Sequence, residues 1–129
     1  MDVTVRADLV DGGIAWTIDG KKPHMSVLNC PSRTGPHEIR FKLDDNTSSG
    51  LQFVQGDAFW VHENEAGKCP PTTGIGTDQV SISSVKPGKL TILNANEGLP
   101  RTLQYQLNFI DAEGVTCSVD PCIKNGGST

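Results

Sequence analysis

The sequence predicts an all-β protein: an antiparallel β-sandwich of about eight or nine short strands in an immunoglobulin-like, Greek-key order. Three observations lead there. Apolar and polar residues alternate over several short stretches, most clearly over residues 103–109. Turn-forming pairs such as Asp11-Gly12, Asp19-Gly20 and Pro87-Gly88 recur at close intervals. No stretch of ten residues places apolar side chains at the three-and-four spacing of an amphipathic helix. A closed barrel is the second reading of the same pattern. "Immunoglobulin-like" describes topology alone, because the cysteine and tryptophan spacing of antibody domains is not evident.

The strands follow in order. Val3, Val5, Ala7 and Leu9 alternate with Thr4, Arg6 and Asp8 and make the first. Asp11-Gly12-Gly13 is a hairpin signal, and Ile14, Trp16 and Ile18 lead the second. A turn over residues 19–23 leads to a short third strand carrying Met25 and Val27 and ending near Asn29-Cys30-Pro31. After an irregular stretch, the fourth has Ile39, Phe41 and Leu43 inside with Glu38, Arg40 and Lys42 outside. Residues 44–50 read as a polar loop, Leu51 and Phe53 as a fifth strand, and residues 58–62 as a sixth. Residues 63–78 show no period. Loops longer than ~12–15 residues are uncommon in compact domains, and are usually functional or mobile. Val80 and Ile82 then continue as strand, and Leu90 and Ile92 resume after Pro87-Gly88.

The chain closes on a long hairpin. Leu103, Tyr105, Leu107 and Phe109 point one way, and Gln104, Gln106 and Asn108 point the other. Asp111-Ala112-Glu113-Gly114 makes the turn, with Gly114 where a positive φ is wanted. Val115, Cys117 and Val119 return on the dry face. Asp120-Pro121 ends the return strand, since proline has no N–H for a ladder, although Ile123 offers a further pairing position.

A chain of 129 residues fits one domain, taken as residues 1–124, with residues 125–129 as a flexible tail. The 15 acidic residues against 11 basic ones give a net charge of −4. That sign argues against nucleic acid and against an anionic membrane surface. No apolar run is long enough to span a bilayer, and no basic segment followed by an apolar one opens the chain. The expectation is a cytoplasmic protein with reduced cysteines, or a periplasmic one if Met1 replaces a leader.

The chemistry-bearing residues are few. Cys30, Cys69, Cys117 and Cys122 form no Cys-x-x-Cys pair, so neither a zinc ribbon nor a thioredoxin-like site is signalled. Cys117 reads as a small core residue, and Cys30 and Cys69 could pair under oxidising conditions. Cys30 precedes His37 by seven positions, as His62 precedes Cys69. Were the two segments to meet, Cys30, His37, His62 and Cys69 would suit zinc. The better reading is solvated histidines, no metal and no cofactor. A blue-copper site is excluded, because no His follows His62 and the late hairpin has neither His nor Met. Asp44-Asp45-Asn46, with Asp57, fits calcium only in part, lacking the full ligand loop. Glu63 and Glu65 fit a glycosidase pair only loosely. Nothing resembles a nucleophile elbow or a phosphate loop. In Phe59-Trp60-Val61, apolar side chains take both faces of one strand: either the strand is central to the sandwich, or the loop over residues 63–78 caps one face, or an exposed aromatic binds something.

The ending, with its alternating strand, Asp-Ala-Glu-Gly turn, return strand and Asp120-Pro121-Cys122-Ile123, resembles the small bacterial DP-EP family. Asp120-Pro121 matches that family's Asp-Pro pair, and Asn125-Gly126-Gly127 stands where its Glu-Pro pair would fall. The resemblance covers the last fifth of the chain and implies a β-sandwich of bacterial origin, with no activity and no site residue. With no catalytic signature in the sequence, the expected function is a non-enzymatic binding or assembly module, holding an unknown protein or small ligand or self-associating through sheet edges. The alternative is a metalloprotein or enzyme with a Cys/His site at the loop end of the sandwich.

Overall fold

A computed structural model describes residues 1–31, 34–63, 73–98 and 100–127. The strands of the first half are β1 (Asp2–Val10), β2 (Gly13–Ile18), β3 (Val27–Pro31), β4 (His37–Asn46), β5 (Gln52–Phe53) and β6 (Phe59–Glu63). Those of the second half are β7 (Ile75–Gly76), β8 (Val80–Lys86), β9 (Lys89–Asn94), β10 (Arg101–Ile110), β11 (Thr116–Val119) and β12 (Cys122–Gly127). Among the described residues helix is limited to one 3-10 turn, Pro23–Met25.

The protein is nearly all β, in two mixed sheets. Sheet A has the order β2-β1-β4-β9-β8, and sheet B the order β3-β12-β10-β6-β7, with β5 and β11 also paired to β10. The expected purely antiparallel arrangement is corrected by three parallel pairs: β1 with β4, β12 with β3, and β6 with β7. The chain makes the β1–β4 pair parallel by changing sheets. It leaves sheet A after β2, adds β3 to sheet B, and re-enters sheet A at β4 beside β1. Parallel neighbours require a crossover of this kind, which a tight hairpin cannot supply.

One core lies between the sheets. Phe41 of sheet A meets Tyr105 and Phe59 of sheet B, with ring centroids 5.4 and 6.3 Å apart. Trp16 of sheet A stacks on Phe109 of sheet B at 4.8 Å, and Phe53 meets Phe109 at 4.6 Å. Burying each such side chain contributes roughly 1.5–3 kcal/mol. Asp11 and Gly12 both take positive φ, 50° and 79°, the combination a two-residue hairpin turn demands. The β1–β2 register then puts Ala7 opposite Trp16.

β10 is the axis of sheet B. Leu103, Tyr105, Leu107 and Phe109 are fully buried, as their alternation predicts. The hairpin is longer than expected, because Asp120-Pro121 does not end it. Leu107 pairs with Val119 and Gln104 with Cys122, three steps along each strand, so the register passes through the proline unbroken. Pro121 forfeits its own ladder donor, while its carbonyl accepts from Tyr105 N–H at 3.0 Å. The chain from Cys122 to Gly127 is consequently strand, so residues 125–127 of the expected tail are paired, and residues 128–129 lie outside the described ones.

Three further expectations change. Val115 is 59% exposed, because it belongs to the turn, where its N–H and that of Glu113 bond Asp111 Oδ1. Met25 and Val27 are exposed, and Leu28 and Cys30 face the core instead, so the short third strand has the opposite phase. β4 continues through Asn46, drawn out by parallel pairing of Arg6, Ala7 and Asp8 with Asp44, Asp45 and Asn46.

One polar cluster sits inside. Asn94 of β9 and Asn125 of β12 are buried and exchange two amide hydrogen bonds, at 2.7 and 2.8 Å. Asn94 Nδ2 also donates to Cys30 Sγ at 3.3 Å. This clasp joins the two sheets at one end of the core.

Candidate functional site

The outer face of sheet B carries the most developed site. β6 and β10 pair so that Trp60 stands opposite Gln106. Phe59 and Val61 point into the core, so alternation sends Trp60 to the outside, where it is partly exposed. On the far side of β10, Ser118 of β11 stands opposite Asn108. The turn before β6 folds back, with Asp57 N–H donating to Val54 O at 3.2 Å. That turn brings the Asp57 carboxylate to the indole, and Trp60 Nε1 donates to Asp57 Oδ1 at 2.6 Å. Between these walls lies a cleft of about 270 Å³, which Thr116 and Cys117 also line.

Its floor is an ordered amide chain. Gln106 and Asn108 are only 6% and 8% exposed, although their alternation marks them as wetted. Their burial is made tolerable by hydrogen bonds: Gln106 Nε2 donates to Asn108 Oδ1 at 2.7 Å, and Asn108 Nδ2 to Asp57 O at 2.8 Å. These bonds fix both amides and the Asp57 turn before any ligand arrives. Asp57 Oδ2, Gln106 Oε1 and the hydroxyls of Thr116 and Ser118 have no hydrogen bond within the described residues.

The cleft has little means of doing covalent chemistry. Cys117 is its one thiol, and burial pushes that thiol above its ordinary range, with the Asp111 and Asp45 carboxylates adding to the effect. The thiolate is the nucleophile, so this cysteine is poorly suited to attack. No histidine lines the cleft, so its hydroxyls have no imidazole base beside them.

Of the residues that the sequence offers for a metal, the described ones, Cys30, His37 and His62, are not brought together. Cys30 lies on β3 facing the core, where burial raises its thiol while the Asn94 hydrogen bond opposes the rise. His62 lies on the opposite face of sheet B, since its neighbour Val61 is the one that points inward. The sheet stands between the two. His37 opens β4 and its Nε2 is 2.7 Å from Thr34 Oγ1. Cys69 and Glu65 lie outside the described residues, as does the Cys30–Cys69 pairing. Among the described residues no group of three or more His, Cys, Asp or Glu side chains is placed to hold a metal ion.

His62 has a feature of its own. It is 6% exposed, and both ring nitrogens are buried without a hydrogen-bond partner among the described residues, as is Oε1 of its cross-strand neighbour Gln104. The calcium-like run also has another role. Asp45 takes hydrogen bonds from Thr47 N–H at 2.9 Å, from Leu51 N–H at 3.0 Å and from Thr47 Oγ1, so its carboxylate staples the loop after β4.

A larger depression of about 530 Å³ crosses the outer face of sheet A, lined by Arg6, Asp8, Asp19 and Asp44 among others. Three of its four charged groups are engaged with the protein: Arg6 Nε pairs with Asp8 at 3.0 Å, and Asp19 Oδ1 accepts from Thr4 N–H at 2.8 Å. It lacks an aromatic wall, and the smaller cleft is the better candidate despite its size. The amide floor was within reach of the sequence. Gln104, Gln106 and Asn108 are three uncharged amides on one strand face, beside an aromatic strand with Asp57 three residues before Trp60.

Comparison with known families and proteins adds no assignment: no family model matches the chain, and no curated protein matches it. No helix among the described residues is long and apolar enough to cross a membrane.

Proposed function

We propose that this chain is a non-enzymatic binding module whose small ligand occupies the cleft between Trp60 and β11. The observation that carries the reading is a partly exposed indole, held in place by Asp57 and set beside amides already bonded to one another. Ligand sites combine an apolar wall with a few fixed polar groups, and order present before binding lowers the entropic cost of binding. The fold belonging to this reading is a two-layer sandwich of immunoglobulin-like, Greek-key character, favoured by the repeated crossing of the chain between sheets. The Asp120-Pro121 resemblance to the DP-EP family goes with a bacterial origin.

Thermal unfolding in the presence of a small-fragment set tests the proposal. A ligand that binds only the folded state raises stability by RT ln(1 + [L]/Kd), about 2.7 kcal/mol at one hundred times Kd. Fragments that raise the Tm of the native protein should lose that effect in Trp60→Ala. A fragment set with no effect, or effects that survive Trp60→Ala unchanged, would remove the proposal.

A further inference from the structure

Resting on the cleft reading above, we infer that the ligand is a neutral sugar, presenting one pyranose ring to Trp60. The chemistry of the walls selects it. Asp57 is the one ionisable carboxylate of the lining and no cation joins it, so an anionic ligand would meet repulsion without compensation. A phosphate, a nucleotide and a small carboxylic acid are disfavoured on that ground, in a chain that itself carries a net charge of −4.

The remaining polar groups match hydroxyls. Asp57 Oδ2 and Gln106 Oε1 are acceptors, and Thr116 and Ser118 carry hydroxyls that donate or accept. A ligand that satisfies such a set must itself both donate and accept from several closely spaced positions. A ring of vicinal hydroxyls does so, whereas an aliphatic or purely aromatic ligand would leave those groups desolvated and unpaired.

The indole supplies the other half. One face of a pyranose is a patch of C–H groups with its hydroxyls directed outward around the rim. That patch packs on the electron-rich face of an aromatic ring while the rim reaches polar side chains. The bond from Trp60 Nε1 to Asp57 fixes the indole plane, and the same carboxylate keeps its second oxygen for a ligand. Size agrees. About 270 Å³ lies just under the ~300–1,000 Å³ span of typical ligand pockets, room for a single ring. A quaternary ammonium would also favour an aromatic face, but it offers no hydroxyls to the amide floor, and Trp60 is the one aromatic ring in the lining.

The test is a titration followed by 15N–1H NMR, reading the Trp60 indole N–H and the side-chain amides of Gln106 and Asn108. The probes are the methyl glycosides of glucose, galactose, mannose and N-acetylglucosamine, each up to about 50 mM, since one ring gives millimolar affinity. Acetate, inorganic phosphate, choline and adenosine are the comparison set. At least one glycoside should shift these signals saturably, Trp60→Ala should weaken it about tenfold or more, and Trp60→Phe should restore part of the loss. Unchanged amide spectra elsewhere would show that both variants fold. No glycoside shift, with a comparison compound shifting the same signals, would overturn the sugar assignment and leave the cleft as a binding site. Silence from every probe would overturn both.

Discussion

Asn125→Ala is expected to be among the most damaging single changes in this protein, and its cost can be worked from the structure. The substitution removes two hydrogen bonds at once, the 2.7 and 2.8 Å bonds exchanged with Asn94. Asn94 is fully buried, so its Oδ1 is left without a partner, and its Nδ2 keeps only the long 3.3 Å contact to Cys30 Sγ. Each buried group left unsatisfied costs about 1–3 kcal/mol, so the change should cost about 2–5 kcal/mol. Asn94→Ala should cost a similar amount for the same reason, seen from the other sheet. The double variant has no orphaned amide at all. Its loss should fall short of the sum of the single losses by about 1–3 kcal/mol, the scale of coupling between residues in one network. Urea unfolding of the four proteins measures this, provided the m values agree, as they should for a two-state domain of this size. Single losses under about 0.5 kcal/mol that simply add would refute the argument that this clasp fastens the sheets together.

Other consequences concern residues whose surroundings are as specific. Replacing His62 by Leu should be neutral or stabilising by up to about 1–2 kcal/mol, because two buried ring nitrogens with no partner among the described residues are removed; a large loss in thermal unfolding would show that the imidazole is hydrogen-bonded. Asp45 is held below the ordinary carboxylate range: burial opposes ionisation, but the Thr47 and Leu51 hydrogen bonds outweigh it. A depressed folded value contributes stability above the unfolded value of ~3.9 and loses it as pH falls through the folded one. Asp45→Asn should therefore cost about 1–2 kcal/mol at neutral pH, a difference that shrinks below about pH 4 in urea midpoints taken across that range. Cys30 should resist alkylation in the native protein and Cys117 should react slowly, since burial raises both thiols; peptide-level mass spectrometry after a timed iodoacetamide pulse reads each site, and rapid labelling of Cys30 would contradict its position in the core.

How far the sequence reveals this molecule depends on which interactions set each feature. The inward row of β10 is legible, because a period of two with large apolar side chains has one physical solution when a face must be buried. The same strand misleads on its other face. Gln106 and Asn108 look wetted, yet neighbouring strands and a folded turn enclose them, and pairing between the two amides makes that enclosure tolerable. A rule based on polarity cannot see a partner. Asp120-Pro121 misleads in the opposite sense. Loss of one donor is a local cost, while continued register with β10 through Asn125 is a longer-range gain that wins. The parallel β1–β4 and β12–β3 pairs are also invisible locally, since they follow from the order in which the chain visits the sheets. Val27 and Leu28 show the limit for short strands: with so few residues either phase is open, and contact with β12 decides it.

The central claim is that the working surface lies on the outside of sheet B, at Trp60, and not in the larger depression on sheet A. Mapping backbone and side-chain amide shifts over the whole protein, with the fragment that most raises its Tm, tests this most directly. The changes should centre on the Trp60 indole, Asn108, Gln106 and Ser118, with Arg6, Asp19 and Asp44 unmoved. Changes centred on Arg6 and Asp44, with the indole signal still, would contradict it.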